Sequence, residues 1–147
     1  MSSTGTVLRT TAHVLNYFGL HTGPQFATID GRLDITAAIF RAVTGKTPNC
    51  FLTDEDYSLL QIQSCEPAMD AIRMLSAVLP TEPPVDLVTG LDDYIEHVCH
   101  WAMTPVWTGN GDDQAPTMPE VIGAILRAAQ TADALTDIPH QTERSAA

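Results

Sequence analysis

Residues 33–44 read LDITAAIFRAVT, with apolar side chains at Leu33, Ala37, Ile39, Phe40 and Val43, and Gly45 directly after. Apolar positions recurring every three or four residues form one face of a helix. A glycine just beyond the last turn can take the left-handed conformation that ends one. Alanine-rich packing with Phe40 in its midst makes this the expected central core helix.

Working outward, the chain reads as helices separated by clear punctuation. Upstream, residues 6–18 place Val7, Val14, Leu15 and Phe18 at helical spacing, and Gly19 closes them. Between the two helices, TGPQFATIDGR (22–32) holds Gly23-Pro24 and Asp30-Gly31, both turn signals. The piece from Gln25 to Ile29 could be extended, so one short β-hairpin near residues 24–35 stays open. Downstream, the loop GKTPNCFL (45–52) leads to Thr53, which could cap a helix starting Asp54-Glu55-Asp56. Acidic side chains there complement the positive end of the helix dipole.

Ser64-Cys65-Glu66-Pro67 reads as a fresh start, because proline is tolerated in a first turn, and the helix over 68–79 stops at Pro80. TEPPVDLVTG (81–90) can continue neither neighbour. Thr89 or Gly90 then opens LDDYIEHVCHWA (91–102), and residues 103–116 form a turn-rich loop containing Trp107. Thr117-Met118-Pro119-Glu120 is a capping box, with the hydroxyl taking the amide of the third helical residue and the carboxylate reaching back. Apolar positions repeat from Val121 to about Leu135, and a polar tail follows. Alternating βα patterning is missing. The expectation is all-α: a single compact domain of about five helices over 6–136, with flexible segments at 1–5 and 137–147. At 147 residues the chain fits one domain.

Charge excludes whole classes of function. Seven Lys+Arg against 18 Asp+Glu give a net charge of −11. Nucleic-acid affinity needs cations that neutralise phosphates. The single lysine, Lys46, and the scattered arginines form no basic run. Direct binding to DNA, RNA or an anionic membrane is not expected. No window nears the roughly 18 apolar residues of a membrane span. The start, MSSTGTVLRTTAH, lacks the charged and apolar regions of a secretory signal. A cytoplasmic location is therefore expected. Cys50, Cys65 and Cys99 form no CxxC pair, so they read as reduced thiols rather than a zinc site.

The densest group of reactive side chains is Asp92 to Trp101. On a helix starting near residue 91, Asp93, His97 and His100 share one face. A carboxylate and two imidazoles there could ligate a divalent transition metal, if His13, His21 or an acid near 109–113 completed the set. The plainer reading is a solvated face with weak Asp–His pairs. Trp107 is either a lid over the core or an anchor for a partner.

Three groups of residues resemble the small actinobacterial family DUF6197: Val7-Leu8-Arg9, Ala12, Leu15 and Gly19-Leu20; Gly31-Arg32-Leu33-Asp34-Ile35-Thr36-Ala37-Ala38; and Val106-Trp107, Glu120-Val121-Ile122 and Leu126-Arg127-Ala128-Ala129. The family favours Cys and Gly where this chain has Asp34 and Thr36, and Trp-Asn-Asp where it has Trp107-Thr108-Gly109. The resemblance implies a compact helical bacterial protein of the cytoplasm and no particular activity. An excess of Arg over Lys agrees with a GC-rich genome.

With no specific catalytic motif, the sequence predicts a small acidic protein that serves as a non-catalytic accessory or protein-interaction module, bound to a protein partner or to itself. Two alternatives stand beside it. One is a metal-dependent enzyme or small-ligand-binding protein built on the 92–100 helix. The other is an acidic inhibitor that mimics nucleic acid.

Overall fold

The computed structural model describes residues 2–104 and 114–146, the last ten as backbone alone. Helix α1 spans Thr4–Phe18. It starts two residues before the apolar periodicity does, because the Ser3 hydroxyl accepts from the Thr6 amide. Gly19, at φ 92°, ends it and donates its N–H to the Leu15 carbonyl. The core helix α2 is Ile35–Thr44, capped by the Asp34 carboxylate and closed by Gly45 in the left-handed region. Every residue from Ile35 to Phe40 is buried, as expected of a central helix.

Five further helices follow: α3 (Cys50–Thr53), α4 (Glu55–Gln63), α5 (Glu66–Val78), α6 (Tyr94–Met103) and α7 (Met118–Ala146). The described residues thus hold seven helices instead of about five, and the fold is all-α and compact. The one-turn α3 lies in a segment that reads as loop. It exists because Phe51 is fully buried and its carbonyl accepts from the Phe26 and Ala27 amides. Asp54, not Thr53, caps α4 through a bond from the Tyr57 amide.

The β-hairpin near 24–35 does not form. Leu33 makes only isolated bridges, to Leu20 and to Ala27. The segment folds back on itself through His21 N–H to Leu33 O (2.8 Å), Leu33 N–H to Gly19 O (3.1 Å) and Asp34 N–H to Phe26 O (2.8 Å).

Helix α1 packs along α7 and α2, α5 lies against α7, and α6 rests on α5 and α2. Leu8, Leu15, Ile39, Ile72, Leu75 and Ile125 are fully buried between them. Burying each such side chain contributes about 1.5–3 kcal/mol. Gly5 permits the close crossing of α1 and α7, since a Cβ there would meet the Asp133 side chain and stand 3.2 Å from the Ala129 carbonyl. One turn on, Arg9 pairs with Asp133 at 2.7 Å.

Helix α6 begins at Tyr94, later than the sequence suggests. Asp86 accepts from the Val88 and Thr89 amides, Gly90 turns at φ 72°, and the Asp93 amide bonds the Pro84 carbonyl. These bonds close residues 84–93 into a turn before the helix starts. The capping box at α7 is present, with Thr117 N–H to Glu120 Oε1 at 3.2 Å and Glu120 N–H to Thr117 Oγ1 at 3.4 Å. The α7 backbone stays helical past Leu135 to Ala146. Among the described residues no helix is long and apolar enough to cross a membrane.

Candidate functional site: a cleft beside α6

The start of α2, the 23–26 turn, α4 and α6 enclose a cleft of about 370 Å³. Asp34 is among its lining residues and is only 7% exposed. Its Oδ1 accepts from the Ala37 amide at 2.7 Å and the Thr36 hydroxyl at 2.9 Å. Its Oδ2 receives the Cys99 thiol at 3.5 Å. Burial pushes the Asp34 carboxyl up to about 6, against the pull of those hydrogen bonds. The Cys99 thiol is pushed well above its ordinary range, first by burial and then by the Asp34 charge. A thiol held protonated is a poor nucleophile.

Gln25 lines the same cleft with its backbone at φ 69°. Its Oε1 is shut off from water and has no hydrogen-bond partner among the described residues. The neighbouring Phe26 is fixed, its ring 5.7 Å from that of Phe51. Helix α4 contributes Glu55 from its first turn and Leu59 from its next. Helix α6 contributes Ile95, Glu96, Cys99 and Met103, and Asp93 stands at its cap. Among the described residues the lining holds four carboxyl groups and no Lys, Arg or His.

The metal trio read from the sequence does not assemble. Asp93 precedes the helix and is its N-cap, with Oδ1 accepting from the Glu96 amide at 3.0 Å. His97 is 4% exposed, and both ring nitrogens are engaged: Nδ1 with Ser76 Oγ at 2.6 Å, Nε2 with Thr81 Oγ1 at 2.7 Å. Burial lowers its pKa, which favours the neutral ring. His100 is exposed. Among the described residues no three His, Cys, Asp or Glu side chains converge as a metal would require. His13 lies exposed on α1, and His21 bonds the Pro24 carbonyl at 2.9 Å. Trp107, Asp112 and Asp113 lie outside the described residues.

On the adjoining face of α6, His97, His100 and Trp101 line a groove of about 640 Å³ with Pro80, Thr81 and Pro84. Glu96 borders both concavities.

The sequence reading missed Asp34, Gln25 and Cys99. The one available signal was Asp34 itself, a carboxylate set between Leu33 and Ile35 in an apolar run and placed three residues before Ala37. That spacing marks a cap, and a cap entering a core helix is buried.

The Leu33–Asp34–Ile35 and Gly19–Leu20 segments, distant in sequence, are tied together by the bonds described above. They lie inside a match to a family described as "Family of unknown function (DUF6197)", which covers residues 1–131. The chain belongs to DUF6197. The matched region contains every residue of the cleft in this DUF6197 protein. No curated protein and no solved structure matches the chain.

Proposed function

We propose that this DUF6197 protein is a non-catalytic module that binds a small organic molecule in the cleft beside α6. The observation carrying the reading is the cleft itself: about 370 Å³, with a buried carboxyl in its lining. That size falls within the roughly 300–1,000 Å³ of small-molecule sites. The lack of an activated group in the cleft among the described residues supports binding over catalysis. Cys99 is held as a thiol, and His97 lines the adjoining groove instead, with both nitrogens committed. Three free cysteines agree with a reducing compartment, so a cytoplasmic location belongs to the same reading.

The test is differential scanning fluorimetry with a chemically varied panel of small molecules on wild type and Leu59→Trp, which fills the cleft mouth. A compound that raises the melting temperature of wild type alone supports the reading. A panel that shifts neither protein, or both equally, overturns it.

A second reading, a protein-interaction module, is favoured by the turn at 84–93. It holds Leu87 98% exposed and Val88 94% exposed on an ordered, hydrogen-bonded backbone. Sedimentation velocity across a concentration series tests its self-associating form. A species that grows with concentration in wild type and not in Leu87→Asp supports it, and an unchanging monomer removes it.

A further inference from the structure

We infer that a second copy of this chain covers the exposed turn at 84–93. The turn of one copy docks on a cationic, aromatic patch at the end of α1 of the next, so that copies associate head to tail. The inference rests on the protein-interaction reading above and adds the partner and the surface it uses.

The turn is an anchor built in advance. Asp86 N–H to Leu91 O (2.8 Å), Gly90 N–H to Asp86 O (2.8 Å) and Asp93 N–H to Pro84 O (2.7 Å) close its backbone. Leu87 and Val88 are thus presented on a fixed frame, and little ordering is left to oppose binding. The surroundings are anionic. Asp86 lies in the turn, and Glu82 and Asp92 flank the two aliphatic residues with exposed side chains. From Met74 to Leu126 the sequence has no Lys or Arg. A surface that covers this turn must offer apolar area and positive charge together.

The same chain carries such a surface elsewhere. At the end of α1, Tyr17 is 82% exposed, with its ring 4.8 Å from that of Phe18. The Arg41 guanidinium lies 4.5 Å from the centre of the Phe18 ring and donates to Thr47, next to the exposed Lys46. The Arg32 side chain runs against Gly19, where a Cβ would stand 3.1 Å from its Cγ. Ile29, in the turn closed by Thr28 N–H to Arg32 O, is 96% exposed. Two exposed apolar side chains therefore share this end of the fold with three cations. Only Arg32 among the three forms an ion pair with another of the described residues.

Charge then decides which surfaces meet. Residues 1–53 hold four Lys or Arg against two acids, a balance of +2, whereas the remaining 94 residues hold three against 16, a balance of −13. Turn against turn, in a symmetric dimer, sets Asp86 and Asp92 against their own copies. Patch against patch repeats the repulsion with Arg41 and Lys46. Turn against patch brings opposite charges together and covers apolar side chains on both sides. A contact between two different surfaces leaves one of each free at the ends, so assembly continues past the dimer.

Complementation between two variants tests the geometry. Leu87→Ser/Val88→Ser blunts the turn and keeps the patch, and Tyr17→Ser/Ile29→Ser blunts the patch and keeps the turn. All four positions are exposed, and unchanged melting temperatures check that both variants fold. Sedimentation velocity follows each protein and their mixture from about 10 μM to about 1 mM, the range of weak association. The expected result is a wild type whose mass grows past the dimer with concentration, less so in about 0.5 M salt than in about 0.05 M. Each variant alone should stay a monomer, and the equimolar mixture should form a one-to-one dimer and nothing larger. Self-association of the patch variant like that of wild type, a mixture that stays monomeric, or association indifferent to salt overturns the head-to-tail inference and leaves the interaction reading standing. A wild type that is monomeric throughout overturns both this inference and the self-associating form of that reading.

Discussion

Cys99 on α6 donates its thiol to the carboxyl of Asp34 at the start of α2, across 65 residues of sequence, with Sγ 3.5 Å from Oδ2. The contact ties the helix bearing the cleft to the buried cap of the core helix. Asp34 therefore has two tasks that pull against each other. As a cap it works best ionised, accepting from the Ala37 amide. As a group only 7% exposed it is easier to keep protonated, although the Cys99 thiol and the other donors favour the ion.

That conflict gives a pH dependence of known sign. The folded protein holds the Asp34 proton up to about 6, whereas an unfolded chain releases it near 3.8. The stability from this group is fully present below pH 3.8 and is lost as pH rises through about 6. A difference of two units amounts to about 3 kcal/mol. Asp34→Asn keeps a good cap and cannot ionise. Urea denaturation of both proteins at pH 4 and pH 7 should show Asn gaining on Asp by up to about 3 kcal/mol over that interval. A gap that stays constant with pH shows that the carboxyl is not perturbed.

The capping box gives a second prediction. Thr117→Ala removes the hydroxyl that accepts the Glu120 amide and bonds its carboxylate at 2.9 Å. The loss should be about 0.5–2 kcal/mol, nearer the lower figure because the pair is solvent-exposed. A thermal melt reads it, and an unchanged midpoint would leave the start of α7 to be fixed by packing alone.

These two caps also show what was legible in the sequence. Thr117 and Glu120 were readable because a capping box is local: four consecutive residues contain all of its bonds. The same holds for the stop at Gly45 and the apolar face of α2. Asp93 was misplaced by a subtler local effect. Asp86 and Gly90 close a turn that delays α6 to Tyr94, which moves Asp93 off the helix face assumed for a metal ligand. The cleft was not legible at all. Asp34 and Cys99 meet only because α6 packs on α2, and Gln25 joins them only because the 20–34 segment folds back on Gly19. No periodicity encodes those distances.

Ile125 is the third test. It sits fully buried on α7, the helix that packs along α1 and α5. Ile125→Ala should cost about 2–5 kcal/mol, the transfer of the lost carbons plus the cavity they leave. Leu126→Ala, one residue on and 42% exposed, should cost far less. Comparable losses in the two variants, measured by chemical denaturation, would place the apolar face of α7 elsewhere.

The last prediction separates two histidines that lie three residues apart. His97 is enclosed, with Ser76 on one ring nitrogen and Thr81 on the other, while His100 is exposed. Burial lowers the His97 pKa, so the fold favours the neutral ring; its contribution is present above the unfolded value of about 6.5 and is lost as pH falls below it. Ser76→Ala leaves Nδ1 unpartnered in the interior and should destabilise the protein by about 1–3 kcal/mol at pH 7.5. His100→Ala should stay within about 0.5 kcal/mol of wild type, as surface changes do. Melts of the two variants at pH 7.5, with wild type followed from pH 7.5 to 5.5, provide the check. Equal effects at positions 76 and 100 would mean that the Ser76–His97–Thr81 chain contributes nothing to holding α6 on α5.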